Sequence, residues 1–139
     1  MKNMNYKEVC DSIFRLYEYA IATKMIHYSI DSMHGHKLAD EVYDELIYFI
    51  DTLAEQYFGY FGKPSYAQLS LQSDIKADED ISKLCQNFMG IVDALHTEFS
   101  KDSHLSGIVS AIDSFKEIIA KNVFLATFDK VSKLKLNKD

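Results

Sequence analysis

Two pairs of potential metal ligands lie four residues apart in one segment of the chain. His36 and Asp40 form the first pair, and Asp51 and Glu55 form the second. Residues four apart are neighbours on a helix surface, so each pair can contact one cation. Imidazole combined with several carboxylates is typical of iron, manganese or zinc sites, and the number of carboxylates favours iron. His27, shortly before this segment, is a fifth candidate ligand.

A single helix cannot bring the two pairs to one ion. They lie fifteen residues apart, which is about 22 Å along a helix at the usual rise per residue. If a second copy of the helix packs antiparallel about a twofold axis near Glu45 and Leu46, the first pair of one chain faces the second pair of the other. The segment therefore predicts a homodimer with two identical metal sites, whose apolar filling comes from Ile47, Ala54 and Phe58.

A plainer interpretation of these residues is also open. Helices rich in Asp and Glu normally expose solvated carboxylates, and acidic pairs at this spacing often arise by chance. The metal hypothesis rests on the joint occurrence of two pairs on one face, together with His27. His34, in the expected turn, is an extra or substitute ligand, although an exposed loop histidine is its ordinary role. His96 and His104 have no partner at ligand spacing and are expected at the surface.

The helix that carries these residues is one of four predicted by the apolar periodicity. They run over about residues 6–30, 36–61, 79–100 and 105–130. Asp31–Gly35 separates the first two helices, Gly62–Pro64 stops the second, and Asp78 is the expected N-cap of the third. The predicted core face of the first helix consists of Ile13, Tyr17, Ala20 and Ile21. That of the second consists of Leu38, Val42, Leu46, Phe49, Leu53 and Tyr57.

These elements predict an all-α, antiparallel four-helix bundle. Only five glycines and one proline occur in 139 residues, which disfavours a turn-rich β architecture. The loosely patterned residues 65–77 are expected to form a longer connection between the second and third helices, which permits a crossover along the bundle. We expect a single domain over residues 1–139, with residues 131–139 as a mobile tail.

Composition and charge limit the functional class. No apolar run reaches the roughly 20 residues of a membrane span, and the polar start lacks a signal-peptide pattern, so a cytoplasmic protein without membrane contact is expected. Cys10 and Cys85 are expected to be buried thiols of a reducing compartment. The formal net charge of -6 argues against broad binding to a phosphate backbone. The C-terminal end is nevertheless locally basic through Lys130, Lys133, Lys135 and Lys138.

The ligand segment resembles the Dps family of miniferritins, the DNA-binding proteins from starved cells. That family has a His-Trp near the end of its first helix, then His-x-x-x-Asp, then Asp-x-x-Ala-Glu-Arg. Its five ligand positions are filled here by His27, His36, Asp40, Asp51 and Glu55. Weaker similarity continues at Gly62–Ser65 and Lys121–Leu125. Tyr28 replaces the usual Trp, Gln56 replaces the Arg, and the turn before the second histidine is about three residues shorter than the usual pattern.

The resemblance implies a ferritin-like bundle with a ferroxidase centre between subunits. One subunit would supply His27, His36 and Asp40, and its mate would supply Asp51 and Glu55, as metal ligands and catalytic residues. The implied activity is oxidation of Fe(II), usually by hydrogen peroxide, with ferric iron stored inside a dodecameric cage that protects against peroxide damage. One or two iron ions are the expected cofactor, with zinc or manganese as substitutes. The acidic balance and the absence of a lysine-rich N-terminal arm make DNA binding doubtful.

Two other hypotheses stay open at this point. The chain is alternatively a ferritin-like bundle without ferroxidase turnover, whose acidic face serves as a structural or protein-interaction module. It is alternatively a DNA-protecting protein that acts through the lysines of Lys130–Lys138. The number of subunits in solution distinguishes an iron-storage protein from an interaction module, since a storage cage requires many copies and a module does not.

Overall fold

The computed structural model describes residues 3–65, 74–75 and 80–138. The secondary structure of these residues is all helical, which confirms the predicted all-α class. The elements are α1 (Tyr6–Ser29), α2 (Met33–Phe61), α3 (Ile81–Phe99), a 3-10 turn (Ser103–Leu105) and α4 (Ser106–Lys138). None of these helices is long and apolar enough to cross a membrane.

Local hydrogen bonds explain where the first two helices begin and end. The side chain of Asn5 accepts from the backbone N–H of Glu8, and the side chain of Glu8 accepts from the backbone N–H of Asn5, which forms a capping box for α1. Ser32 caps α2 by accepting from the N–H of Gly35 at 2.9 Å. As predicted, α2 stops at Gly62, whose φ of 95° favours glycine.

The start of α2 and the start of α3 differ from the sequence prediction. α2 begins at Met33 rather than His36, because the side chain of Ser32 directly before Met33 accepts from the free N–H of Gly35 in the first turn. α3 begins at Ile81, since Asp80 provides its N-cap. Asp78, the predicted cap, lies outside the described residues, as do residues 66–73.

The end of α4 also differs from the prediction. The helix continues past Lys130 to Lys138, because no glycine or proline follows Gly107 to terminate it. Residues 131–138, expected as a tail, therefore have helical backbone, and residue 139 lies outside the described part of the chain.

The core lies between the four helices and includes the whole predicted face of α2, all six residues of which are buried. The predicted face of α1 is correct for Ile13 and Ala20, and Tyr17 is partly buried against the core, but Ile21 is 62% exposed. This error arises because α1 packs against α2 and α3, which turns Ile21 to the outer side. Cys10 and Cys85 are free and buried, as predicted, and burial raises the pKa of the Cys85 thiol to about 12.

Contacts between helix ends fix the directions of the helices. Tyr6 at the start of α1 stacks on Tyr57 near the end of α2, with ring centroids 5.8 Å apart, so α1 and α2 are antiparallel. The ring of Tyr57 also lies 5.5 Å from that of Phe99 at the end of α3, so α2 and α3 are parallel. His34 near the start of α2 contacts the carbonyl of Leu125 in the C-terminal half of α4, which makes α2 and α4 antiparallel.

Because α2 and α3 are parallel, the end of α2 and the start of α3 lie at opposite ends of the bundle. Of residues 66–79 between them, the structure describes Asp74 and Ile75. Asp74 pairs with Arg15 in the middle of α1 at 2.8 Å, and Ile75 packs against the core. The packed neighbours are therefore antiparallel: α1 packs against α2 and α3, and α4 packs against α2 and α3.

Candidate metal centre

The short turn between α1 and α2 places two candidate ligands opposite each other. Residues 30–32 separate the helices, so His27 in the last turn of α1 faces His36 in the first turn of α2. The turn approaches α2 closely at Gly35, where an added Cβ would lie 2.4 Å from Cδ1 of Ile30. The glycine therefore lets the side chains of Ile30 and Ser32 pack closely against the start of α2.

The two imidazole rings form a reciprocal pair. Their centroids lie 3.8 Å apart, and their planes differ by 22°. Nδ1 of His27 donates to the carbonyl oxygen of His36 at 2.8 Å, and Nδ1 of His36 donates to the carbonyl oxygen of His27 at 2.7 Å. Because a carbonyl oxygen only accepts, the proton of each neutral ring is on Nδ1 and the lone pair is on Nε2. This is the tautomer of a histidine that binds metal through Nε2.

Asp40 lies one turn after His36 and is ionised. Its carboxylate accepts a hydrogen bond from Lys24 of α1 at 2.9 Å, and this contact holds the pKa of Asp40 below its usual value. The Lys24 ammonium in turn lies 4.7 Å from the ring centre of Tyr43 and 5.8 Å from that of Tyr28. A cation already occupies the neighbourhood of this carboxylate.

The second predicted pair, Asp51 and Glu55, lies on α2 about four to five turns beyond His36 and is exposed. Tyr17 of α1 lies within electrostatic range of both. Burial raises the pKa of the Tyr17 hydroxyl, and the two carboxylate charges raise it further. Asp51 and Glu55 are thus solvent-accessible acidic groups on the same helix face as the histidine end.

One chain does not complete a metal centre. Across residues 3–65, 74–75 and 80–138, no group of three or more His, Cys, Asp or Glu side chains lies close enough to hold an ion. The structure brings His27 and His36 into contact and places Asp40 near them. It keeps Asp51 and Glu55 away from that end.

The three other histidines lie elsewhere. Nε2 of His34 donates to the carbonyl of Leu125 at 2.8 Å, so this side chain faces α4. His96 is less exposed than its sequence context suggests, at 31%, and its Nε2 lies 2.9 Å from Asp113 of α4. That pair joins α3 and α4, and no spacing within one helix could have indicated it. The side chain of His104 is 88% exposed, as predicted.

Sequence reasoning also missed the part played by Lys24. Lys24 and Tyr28 flank His27 on nearly the same side of α1, which is the available sequence signal. The ion pair with Asp40 depends on the alignment of α1 against α2, which local periodicity does not specify.

The comparisons with known proteins place the chain in a family. A family model described as a family of unknown function, DUF5856, matches residues 27–125. The chain belongs to this family. Its match begins at His27, includes all the other candidate ligands, and ends at Leu125 before the last part of α4. No curated protein and no solved structure matches the chain. The description of the family gives no activity.

Proposed function

We propose that the chain is a miniferritin-like protein that binds Fe(II) at centres shared by two copies, oxidises it, and stores the ferric product. The reciprocal contact of His27 and His36 carries this proposal. It leaves two Nε2 lone pairs near the ionised Asp40 and fixes both rings through the Nδ1 hydrogen bonds. Metal-binding histidines characteristically donate their second N–H to a carbonyl or carboxylate in this way.

The helix arrangement supports a ferritin-like bundle. Ferritin-like folds are antiparallel four-helix bundles with one long crossover. Here α2 and α3 are parallel, and Asp74 between them pairs with Arg15 in the middle of α1. The same arrangement leaves the outer side of α1 and α2 free for a second copy.

An incomplete centre is the expected state of one subunit if two subunits share each site. An antiparallel pair of α2 helices would bring Asp51 and Glu55 of one copy to the histidines of the other. Exposed apolar side chains on the adjacent side of α1 support such a contact. Ile21, Met25 and Tyr28 are 62%, 53% and 74% exposed, and burial of contiguous apolar surface stabilises association.

The proposed reaction uses iron as substrate. Nε2 of the two histidines and the carboxylates of Asp40, Asp51 and Glu55 would hold Fe(II) and leave positions open to the oxidant. Two Fe(II) ions give one electron each to hydrogen peroxide, which takes up two protons and leaves as two water molecules. The carboxylates then stabilise the higher charge of Fe(III), since hard anionic oxygen ligands suit that ion.

Removal of either carboxylate of the second pair tests the activity. We expect Asp51→Ala or Glu55→Ala to abolish rapid Fe(II) oxidation, measured by absorbance when peroxide is added after anaerobic Fe(II) titration. Circular dichroism should show an unchanged helical fold, because both residues are exposed. Glu117→Ala removes an exposed acid from α4 and serves as the control. Unchanged kinetics in the first two variants would contradict the proposal.

Subunit mixing tests whether the centre is shared. His36→Ala removes the histidine half and Asp51→Ala removes the carboxylate half, so each homodimer should be inactive. In a mixed dimer one of the two centres is intact. Random exchange of equal amounts makes about half of the dimers mixed, so about one quarter of all centres should regain activity. If the mixture stays inactive while mass spectrometry shows mixed dimers, the centre is not shared between subunits. The histidine and carboxylate halves then belong to the same subunit or do not form a centre.

A non-catalytic protein-interaction module is the second candidate, and the Lys24 contact favours it. An ammonium group bound to Asp40 at 2.9 Å replaces the charge that a metal ion would supply. This candidate predicts a specific oligomer with no saturable Fe(II) binding in anaerobic titration. Stoichiometric Fe(II) binding to the wild-type protein would reject it.

A further inference from the structure

The last part of α4 extends beyond its neighbours. The Leu125 carbonyl contacts His34 near the start of α2, and Ala126 borders a cavity with Asp80 and Ile81 at the start of α3. Both neighbouring helices therefore begin at this level, while α4 continues to Lys138. Residues 129–138, called the overhang, add about 15 Å of helix at the usual rise per residue.

The overhang is basic and partly apolar in sequence. It contains four lysines against one acidic residue, Asp129, which gives a formal charge of +3 in a chain whose net charge is -6. The apolar residues of this segment are Val131, Leu134 and Leu136. A partner for the overhang should therefore offer negative charge together with apolar surface.

A surface of that kind lies between α2 and α4 of the same molecule, and we call it the α2–α4 groove. Its apolar half is a depression of about 240 Å³. Phe49 and Phe115 stack in its floor with centroids 4.0 Å apart. Tyr48, 73% exposed, and Ile118, 37% exposed, border it. An aromatic and aliphatic surface of this kind can cover apolar side chains of a partner.

The other half of the α2–α4 groove is acidic. It is a depression of about 410 Å³ that shares Glu45 and Ile118 with the apolar half, so the two are continuous. Its acidic border consists of Glu41, Asp44 and Glu45, and its basic border is Lys121. The formal charge of this half is therefore -2, opposite in sign to that of the overhang.

We propose that the overhang of one copy docks in the α2–α4 groove of a second copy. Groove and overhang both include α4, so antiparallel pairing of two α4 helices inserts each overhang into the groove of the other about one twofold axis. Phe124 and Phe128 lie between the two elements and are 61% and 46% exposed. They would be covered near that axis, which explains two large exposed aromatic side chains at this point of the bundle.

A second copy suits the overhang better than a nucleic acid does. The net charge of -6 repels a polyanion, whereas the acidic groove attracts the lysines. The interface uses the α2–α4 side of the bundle and none of the five proposed iron ligands. It is therefore independent of the proposed iron centre, which uses the α1–α2 side.

Charge reversal within the full-length chain tests the docking. The groove variant is Glu41→Lys with Glu45→Lys, and the overhang variant is Lys133→Glu with Lys135→Glu. We expect each to halve the number of subunits in light scattering after size exclusion. Combining all four changes in one chain should restore the wild-type number, because the charges are again opposite. Glu117→Lys on α4 is the control and should leave the number unchanged.

Three results would overturn the proposal. These are a monomeric wild-type protein, an unchanged subunit number in both charge variants, or no restoration in the combined variant. If the overhang variant instead loses binding to a DNA duplex at constant subunit number, the overhang binds nucleic acid. Fe(II) oxidation is measured on the same samples: retained oxidation with a halved subunit number supports docking, and absent oxidation in all samples rejects only the iron centre.

Discussion

The α1–α2 face and the α3–α4 face contain the same types of side chain in different states. Each has a histidine and a Lys–Asp ion pair, with Lys24–Asp40 at 2.9 Å on the first face and Lys116–Asp93 at 2.9 Å on the second. On the α3–α4 face, Nε2 of His96 is engaged by a carboxylate. On the α1–α2 face, backbone carbonyls engage Nδ1 of both histidines and leave Nε2 with its lone pair.

The difference shows that residue type alone does not create a ligand. A histidine that donates to a carboxylate across two helices stabilises their packing, whereas one that donates through Nδ1 to a carbonyl keeps Nε2 available for another partner. The short turn over residues 30–32 produces the second state, because it brings the backbone carbonyl of each histidine within reach of the other ring.

The largest expected contrast concerns metal affinity. We expect His36→Ala to weaken anaerobic Fe(II) binding by about 10- to 100-fold, because it removes a ligand and frees the ring of His27. His96→Ala is the matched change on the α3–α4 face and should leave Fe(II) binding unchanged. Isothermal titration of both variants measures the contrast. Equal effects would show that the two faces do not differ in metal binding.

A smaller contrast concerns stability at two glycines. An added Cβ at Gly35 would lie 2.4 Å from Cδ1 of Ile30 and 2.9 Å from Oγ of the capping residue Ser32. We expect Gly35→Ala to lower the free energy of unfolding by about 1–3 kcal/mol through overpacking. An added Cβ at Gly90 of α3 would have no neighbour within 4 Å. We therefore expect Gly90→Ala to raise the free energy of unfolding by about 0.5–1 kcal/mol. Urea unfolding followed by circular dichroism measures both, and a neutral Gly35→Ala would show a turn that relaxes freely.

The smallest contrast concerns the two ion pairs. Lys24→Met removes the ammonium that competes for Asp40, so Fe(II) should bind up to about fivefold more tightly, in keeping with the small free energy of an exposed pair. Lys116→Met removes the corresponding lysine of the α3–α4 face and should not alter Fe(II) binding. Titration at two ionic strengths measures the effect, which salt should reduce. Weaker binding in Lys24→Met would mean that the lysine supports the site.

Sequence periodicity determined the four α-helices seen in the described residues, the core face of α2 and its end before Gly62. These features depend on residues close together in the chain, so the pattern contains the necessary information. The sequence also placed the five candidate ligands on one helix and at the end of the preceding one. Whether they bind iron stays a prediction.

Tertiary structure decided how those residues meet. The reciprocal histidine contact, the Lys24–Asp40 pair and the His96–Asp113 pair each join two helices, and they depend on how far one helix is shifted and rotated against the next. That alignment is set by the packing of the whole core and by the turn at residues 30–32. A local pattern identifies which side of a helix is apolar, but it does not fix which polar groups become neighbours across the bundle.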